Sequence, residues 1–95
     1  MSAKTIPIAV MRLGRLVATP NALASITQDD ILLGIQRHQA GDWGNLTEED
    51  RMANDQALVE GTRILSAYNA GNGTRFWIIT EADRSVTTVL LPEDY

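Results

Sequence analysis

The sequence of 95 residues contains no cysteine, and this absence removes a whole class of chemistry. Disulfide bonds, thiolate nucleophiles and cysteine-ligated zinc are all excluded. Histidine is scarce as well, because His38 is the only one, and it has no cysteines with which to build a zinc site. A chain without disulfides suits a reducing compartment, so we expect a cytoplasmic protein.

Long hydrophobic runs are also missing. The apolar N-terminal run Ile6–Met11 is only six residues long and contains Pro7. It is too short for a signal-peptide core or a membrane span, so we expect no membrane association. No glycine-rich loop follows a strand in the manner of a nucleotide-cofactor site, and we expect neither a cofactor nor a bound metal.

Basic side chains are fewer than acidic ones. The chain has 8 basic and 12 acidic side chains, which gives a net charge of −4. A protein that binds nucleic acid chiefly by neutralising phosphates needs a basic surface, so the composition disfavours that class. The composition still permits a local basic patch, and it permits binding to a basic protein partner.

Three threonines mark expected helix starts, since each precedes an apolar-periodic segment: Thr19, Thr27 and Thr47. Threonine suits the N-cap, and Pro20 suits the first helical position because its missing N–H has no partner there. The three carboxylates after Thr47 favour a first helical turn through the helix dipole. We expect a short helix over residues 21–26, a second that ends at Gly41 and a third that ends at Gly61.

Beyond Gly61 the apolar residues recur at every second position, which predicts strands. The expected strands cover residues 63–68, 74–80 and 85–91. The glycine-rich stretch 69–73 and the polar tip 81–84 are the hairpin turns between them. Residues 7–17 predict one bent strand or two short ones, with residues 1–13 as an N-terminal arm or an edge strand.

These elements predict an α+β fold, with helices packed on one face of a three- to four-stranded antiparallel meander. A chain of this length holds one core, so residues 1–95 are expected to form a single domain. The side chains expected to be buried together are Ile31, Ile35, Ala57, Ile64, Phe76, Ile78 and Leu90.

The charged tip of the second hairpin is the first candidate site. Glu81, Asp83 and Arg84 either form a partner-binding surface, because a rigid hairpin presents side chains at low entropic cost, or are ordinary solvated turn residues. Three hydroxyl residues of the strands are expected to share one sheet face: Ser66, Thr80 and Thr88. One interpretation is that these hydroxyls, together with arginines at the strand ends, bind a phosphate or an RNA backbone. The other is that they are ordinary strand residues.

His38 and Trp43 are the other candidates. His38 is either a general acid or base with Asp42 as its partner, or a histidine that hydrogen-bonds free carbonyls at a helix C-terminus. Trp43 lies in the short linker between two helices. It either fills the corner between them or serves as an exposed anchor for a partner.

Four blocks in the same order resemble a family of small bacterial proteins carried on plasmids and integrated elements: residues 14–20, 38–44, 63–68, and 77–85 with 91–95. The resemblance covers about residues 14–95. Members of that family are generally described as uncharacterised or plasmid-related, and some carry a restriction-modification label. The resemblance implies a mobile element in conflict with host defences and does not imply an activity.

The order of elements is also similar, more weakly, to that of the small barnase/RelE-like ribonucleases. That similarity implies His38 or Glu81 as the acid–base group and Arg63 and Arg84 as phosphate ligands. The acidic composition departs from the basic clusters of many RNA-cleaving toxins.

Two functions follow from these observations. The first is a non-catalytic binding protein of a bacterial mobile element that inhibits a host defence complex, either CRISPR or restriction. Its protein partner is contacted by Glu81, Asp83, Arg84 and Trp43. The alternative is a small ribonuclease or toxin whose site residues are His38, Arg63, Ser66, Glu81 and Arg84. The placement of His38 relative to Arg63, Ser66 and Arg84 separates the two functions: convergence in one cleft favours the enzyme, and a His38 that faces away disfavours it. The oligomeric state is left open.

Overall fold

The computed structural model describes residues 11–95, in which a short strand and three helices precede a three-stranded meander. In chain order the elements are β1 (Arg15–Ala18), α1 (Pro20–Ser25), α2 (Gln28–Gln39), α3 (Glu48–Glu60), β2 (Ile64–Asn69), β3 (Arg75–Thr80), β4 (Val86–Leu90) and a 3₁₀ turn (Pro92–Asp94). The expected N-terminal arm and the start of the expected first strand lie largely outside the described residues.

All three threonine caps are confirmed. Each hydroxyl accepts a hydrogen bond from the backbone N–H three residues on, at 3.1 to 3.2 Å, in the pairs Thr19–Ala22, Thr27–Asp30 and Thr47–Asp50. Pro20 occupies the first position of α1. At the other end of α3, Gly61 adopts the left-handed conformation with φ of 75° and donates its N–H to the Ala57 carbonyl. Local hydrogen bonding therefore sets these helix ends.

The sheet is mixed, with strand order β1-β4-β3-β2. The pairs β2–β3 and β3–β4 are antiparallel, as the hairpin signals predicted. Strand β1 lies parallel to β4, from Arg15 beside Val86 to Ala18 beside Val89. The expectation of a purely antiparallel sheet is therefore wrong. No hairpin joins β1 to its neighbour, and a connection through three helices and two strands leaves the direction of pairing to tertiary packing.

The main core lies on the sheet face that α2 and α1 cover. It comprises Ala22, Ile26, Ile31, Tyr68, Ala70, Phe76, Ile78, Val89 and Leu91. A second cluster packs against α3 and comprises Trp43, Ala57 and Ile64. The expected core is thus divided between two clusters, with Ile35 partly buried against the first.

Leu90 does not belong to either cluster, although it is buried. The register places Val89 beside Ile78 and Leu90 beside Trp77, on the opposite sheet face. The expectation that Leu90 shares a core with Ile78 is therefore wrong, and Val89 takes that place. A period of two leaves the face of a strand undetermined until its register is known.

The outer edge of β2 is covered by neighbouring elements. The Asn54 amide of α3 donates to the Leu65 carbonyl at 2.7 Å and accepts from the Leu65 N–H at 3.2 Å. Two residues further along β2, the Ala67 N–H donates to the Trp43 carbonyl and the Ala67 carbonyl accepts from the Asn45 N–H. This edge therefore has its backbone groups satisfied within the chain.

Candidate functional site

His38 is buried between α2 and the sheet, with no exposed surface. Its Nδ1 lies 2.5 Å from Ser66 Oγ, and its Nε2 lies 2.8 Å from Thr80 Oγ1. The expected partner Asp42 is elsewhere, because its carboxylate pairs with the guanidinium of Arg37 at 2.7 Å. The interpretations of His38 as an acid–base partner of Asp42 and as a cap of helix carbonyls are therefore both wrong.

The hydrogen-bond chain continues through two more threonines. Thr80 Oγ1 lies 2.8 Å from Thr87 Oγ1, and Thr87 donates to the Leu13 carbonyl at 2.7 Å. Thr87, and not Thr88, shares the sheet face with Ser66 and Thr80 because the register pairs Thr80 with Thr87. The expectation that Thr88 lies on this face is wrong.

The number of hydroxyl protons available in this hydrogen-bond chain determines which group donates and which accepts. Thr87 uses its only hydroxyl proton for the Leu13 carbonyl, so Thr80 must donate to Thr87. Thr80 then accepts from His38, which places the imidazole proton on Nε2 and leaves Nδ1 to accept from the Ser66 hydroxyl. A neutral His38 satisfies every member of the chain.

The electrostatics agree with a neutral ring. Burial lowers the pKa of His38 to about 4, and the positive charge of Arg84 adds to the shift. At neutral pH the histidine therefore carries no charge, and its two nitrogens already have partners. An acid–base catalyst must reach a substrate proton, and this ring has no solvent access. What the arrangement does is hold α2, the three strands of the meander and the Leu13 segment together.

Trp43 occupies the interior beside this chain. It is 4% exposed and packs edge-on against His38, with ring centroids 5.8 Å apart. Its indole Nε1 donates to Asp55 of α3 at 2.9 Å, so the polar end of the ring is satisfied. The structure places Trp43 as the filling of the corner between two helices, and a buried ring does not suit a partner anchor.

Arg84 lies at the hairpin tip but points back to α3. It is the only residue other than glycine within 11–95 with a positive φ, 62°. Its guanidinium donates to the carbonyls of Ala57 at 3.0 Å, Thr62 at 2.7 Å and Glu81 at 3.1 Å. The Ala57 carbonyl already accepts from the Gly61 N–H, so Arg84 is a further donor to it, and a cation at this end also complements the helix dipole. Arg84 therefore closes the C-terminal end of α3.

The other charged residues of the tip lie at the surface. Arg63 Nη2 and Glu81 Oε1 form an ion pair at 3.1 Å, with both side chains partly exposed, and Arg63 Nη1 donates to the Tyr95 hydroxyl at 2.8 Å. Asp83 is exposed, and hydrogen bonds from the Ser85 side chain and backbone hold the pKa of its carboxyl below the ordinary value. Of the tip residues expected to contact a partner, Asp83 and Glu81 are accessible.

The five residues of the expected ribonuclease site do not line one open cleft. His38 and Ser66 are in contact but fully buried. Arg63 and Glu81 pair with each other at the surface, and Arg84 is bound to backbone carbonyls. Sequence reasoning missed Thr87 and Leu13, which complete the buried chain. Period-two spacing could have indicated Thr87 only if the strand register had been known.

Within residues 11–95, no group of three or more histidine, aspartate and glutamate side chains is placed to hold a metal ion. In the same part of the chain, no helix is long and apolar enough to cross a membrane.

No family model, curated protein sequence or solved structure matches this chain. The resemblance to a family of mobile elements and the weaker similarity to small ribonucleases therefore stay predictions from the residues.

Proposed function

We propose that this protein acts by binding a protein partner and has no catalytic activity of its own. The observation that carries the proposal is the state of His38: it is fully buried, and both ring nitrogens are bonded within a complete hydrogen-bond chain. The only histidine of the sequence therefore has a structural role.

The alternative, RNA cleavage, requires groups that reach the 2′-hydroxyl and the phosphate of a bound strand. The accessible groups at the tip are Arg63, which is neutralised by Glu81, and Asp83, which repels phosphate. Arg84 is held by four backbone carbonyls, those of Ala57, Thr62, Glu81 and Ala82, and would have to give them up in order to bind phosphate. The surface near the tip therefore suits a protein partner better than RNA.

The binding surface we propose is the hairpin tip with Asp83, the Arg63–Glu81 pair and Tyr95, which is 72% exposed. Arg84 supports this surface from behind, because it ties the tip to the end of α3. A rigid surface loses little conformational entropy on binding. The net charge of −4 favours a partner with a basic surface. The finer proposal, that the partner belongs to a CRISPR or restriction complex, is supported by the sequence resemblance alone.

The test compares binding and cleavage in the same preparations. The protein is immobilised and exposed to lysate of a bacterium that carries such a defence system, and the captured proteins are quantified for the wild type and Asp83→Lys. Glu49→Lys makes the same change of charge at another exposed position and is the matched control. We expect one partner to be lost with Asp83→Lys and retained with Glu49→Lys.

RNA cleavage is assayed in parallel with single-stranded and hairpin RNA. We expect none from the wild type. Cleavage by the wild type that disappears in a folded His38→Gln variant would overturn the proposal in favour of the enzyme. Equal capture of the partner by the wild type, Asp83→Lys and Glu49→Lys would show that the tip is not the binding surface.

A further inference from the structure

Strand β1 leaves one edge of the sheet open within residues 11–95. The N–H groups of Arg15 and Thr19 donate to the carbonyls of Ser85 and Val89, at 2.9 and 3.0 Å. Because successive residues of a strand alternate their bonding direction, the backbone groups of Leu16 and Ala18 point away from β4. No other strand of the described chain pairs with this edge. It differs in this respect from the edge of β2, which Asn54 and the Trp43 segment cover.

An apolar groove of about 460 Å³ runs beside the same edge, between β1, α1 and α2. Three leucines of its lining are about half exposed: Leu16 at 50%, Leu23 at 63% and Leu32 at 48%. The lining contains one polar side chain, Gln28, and no charged one. An open strand edge is a template for pairing with another chain, and exposed apolar patches beside it mark interaction sites.

We propose that a second copy of this chain occupies this surface. The two β1 strands pair antiparallel about a twofold axis at Val17, so that the two sheets join into one of eight strands. Leu16 then exchanges both backbone hydrogen bonds with the partner's Ala18, and Ala18 does the same with the partner's Leu16. All four outward-pointing backbone groups of each β1 are satisfied by this single arrangement.

The twofold axis is perpendicular to the sheet, so the helices of both copies lie on the same sheet face. Residues directly opposite in an antiparallel pair share a face, which brings Leu16 beside the partner's Ala18 on the side of the groove. The exposed leucines of each copy thereby approach the groove of the other. An isologous contact of this kind uses the same patch twice and closes at a dimer.

The charges of the chain are compatible with this contact. Two copies that each have a net charge of −4 repel each other. The lining of the groove has no charged side chain, so contact at the groove brings no like charges of the lining together. The only charge on β1 is Arg15, at its end. With the axis at Val17, the two Arg15 residues are offset by four positions, or roughly 13 Å. That offset exceeds the Debye length of about 8 Å at physiological ionic strength.

A stable dimer buries roughly 800 Å² on each partner, about an eighth of a surface of 6215 Å². The contact involves β1, α1 and one flank of α2, which are three of the eight elements of the chain.

Sedimentation velocity on the purified full-length protein, from about 1 to 200 μM, tests the proposal, since that range covers dimers of ordinary affinity. We expect a monomer–dimer equilibrium for the wild type and a dissociation constant at least about tenfold higher for Leu16→Asp. Leu23→Asp, on α1, should have the same effect without altering the strand. Val59→Asp is the matched control, because Val59 is 88% exposed on α3 and lies outside the groove.

Amide hydrogen exchange in the same samples reports the pairing itself. In the wild-type dimer the N–H groups of Leu16 and Ala18 should be protected, and the protection should fall on dilution. A wild type that stays monomeric throughout the range, or a dimer that resists both Leu16→Asp and Leu23→Asp, would overturn the proposal. So would an equal loss of dimer in the Val59→Asp control, or a dimer whose Leu16 and Ala18 amides exchange freely.

Discussion

Lowering the pH from 8 to 5 should destabilise this protein through one side chain, His38. Burial lowers its pKa to about 4 in the folded state, whereas an exposed histidine in the unfolded chain titrates near 6.5. The unfolded state therefore takes up a proton before the folded state does. The contribution of His38 to stability is complete above pH 6.5 and is lost as the pH falls towards 4.

The size of the effect follows from the difference between the two pKa values. A pKa of about 4 in the folded state against about 6.5 in the unfolded state corresponds to about 3 kcal/mol in the free energy of unfolding once both states are protonated. At pH 5 about 2 kcal/mol of this is already lost. The interval from pH 8 to 5 isolates the effect, because the chain has a single histidine. The pKa values of Asp42, Asp83 and Asp94 are held below the ordinary value of 3.8 by their hydrogen bonds, so these groups titrate only in more acidic solution.

Urea unfolding followed by tryptophan fluorescence at pH 8, 7, 6 and 5 measures the change. Trp43 packs against His38 and is a suitable reporter of this part of the core. The control is His38→Gln, whose amide donates and accepts hydrogen bonds but does not titrate. Its stability, although lower, should be flat over this interval. The reasoning fails if the wild type loses less than about 0.5 kcal/mol between pH 8 and 5, or if His38→Gln loses as much as the wild type.

Three further substitutions test the packing and the tip by chemical denaturation. Ile78→Ala should lower the free energy of unfolding by about 2–5 kcal/mol, because Ile78 is fully buried; a loss below about 1 kcal/mol would contradict its place in the core. Gly34→Ala should cost about 1–3 kcal/mol, since the new methyl would lie 2.9 Å from Phe76; a gain of the roughly 1 kcal/mol that helix propensity favours would refute that close contact. Arg84→Ala should cost about 1–2 kcal/mol because it removes the charge-assisted hydrogen bonds that tie the hairpin tip to the end of α3, whereas Asp83→Ala should change stability by less than about 0.5 kcal/mol; equal effects would show that Arg84 is an ordinary turn residue.

The elements of this fold that depend on local interactions could be predicted from the sequence. The caps at Thr19, Thr27 and Thr47 each involve a hydroxyl and an N–H three residues apart, so the residues that form them are adjacent in the sequence. The meander was predicted for the same reason, because its turns and its period-two strands lie within one continuous stretch. For the candidate site, the sequence indicated that Glu81 and Asp83 lie on a charged hairpin tip.

Tertiary structure decided what depends on residues distant in the chain. The parallel pairing of β1 with β4 joins residues about seventy positions apart, and no local signal specifies its direction. The register of β4 determines whether Thr87 or Thr88 faces His38, and a slip of one residue would exchange them. Arg84 acts as a helix cap only because α3 ends beside the hairpin. A lone histidine in a sequence is compatible with a catalytic role and with a structural one. Here the surrounding hydroxyls satisfy both ring nitrogens and complete burial excludes water, so the tertiary structure gives His38 a structural role.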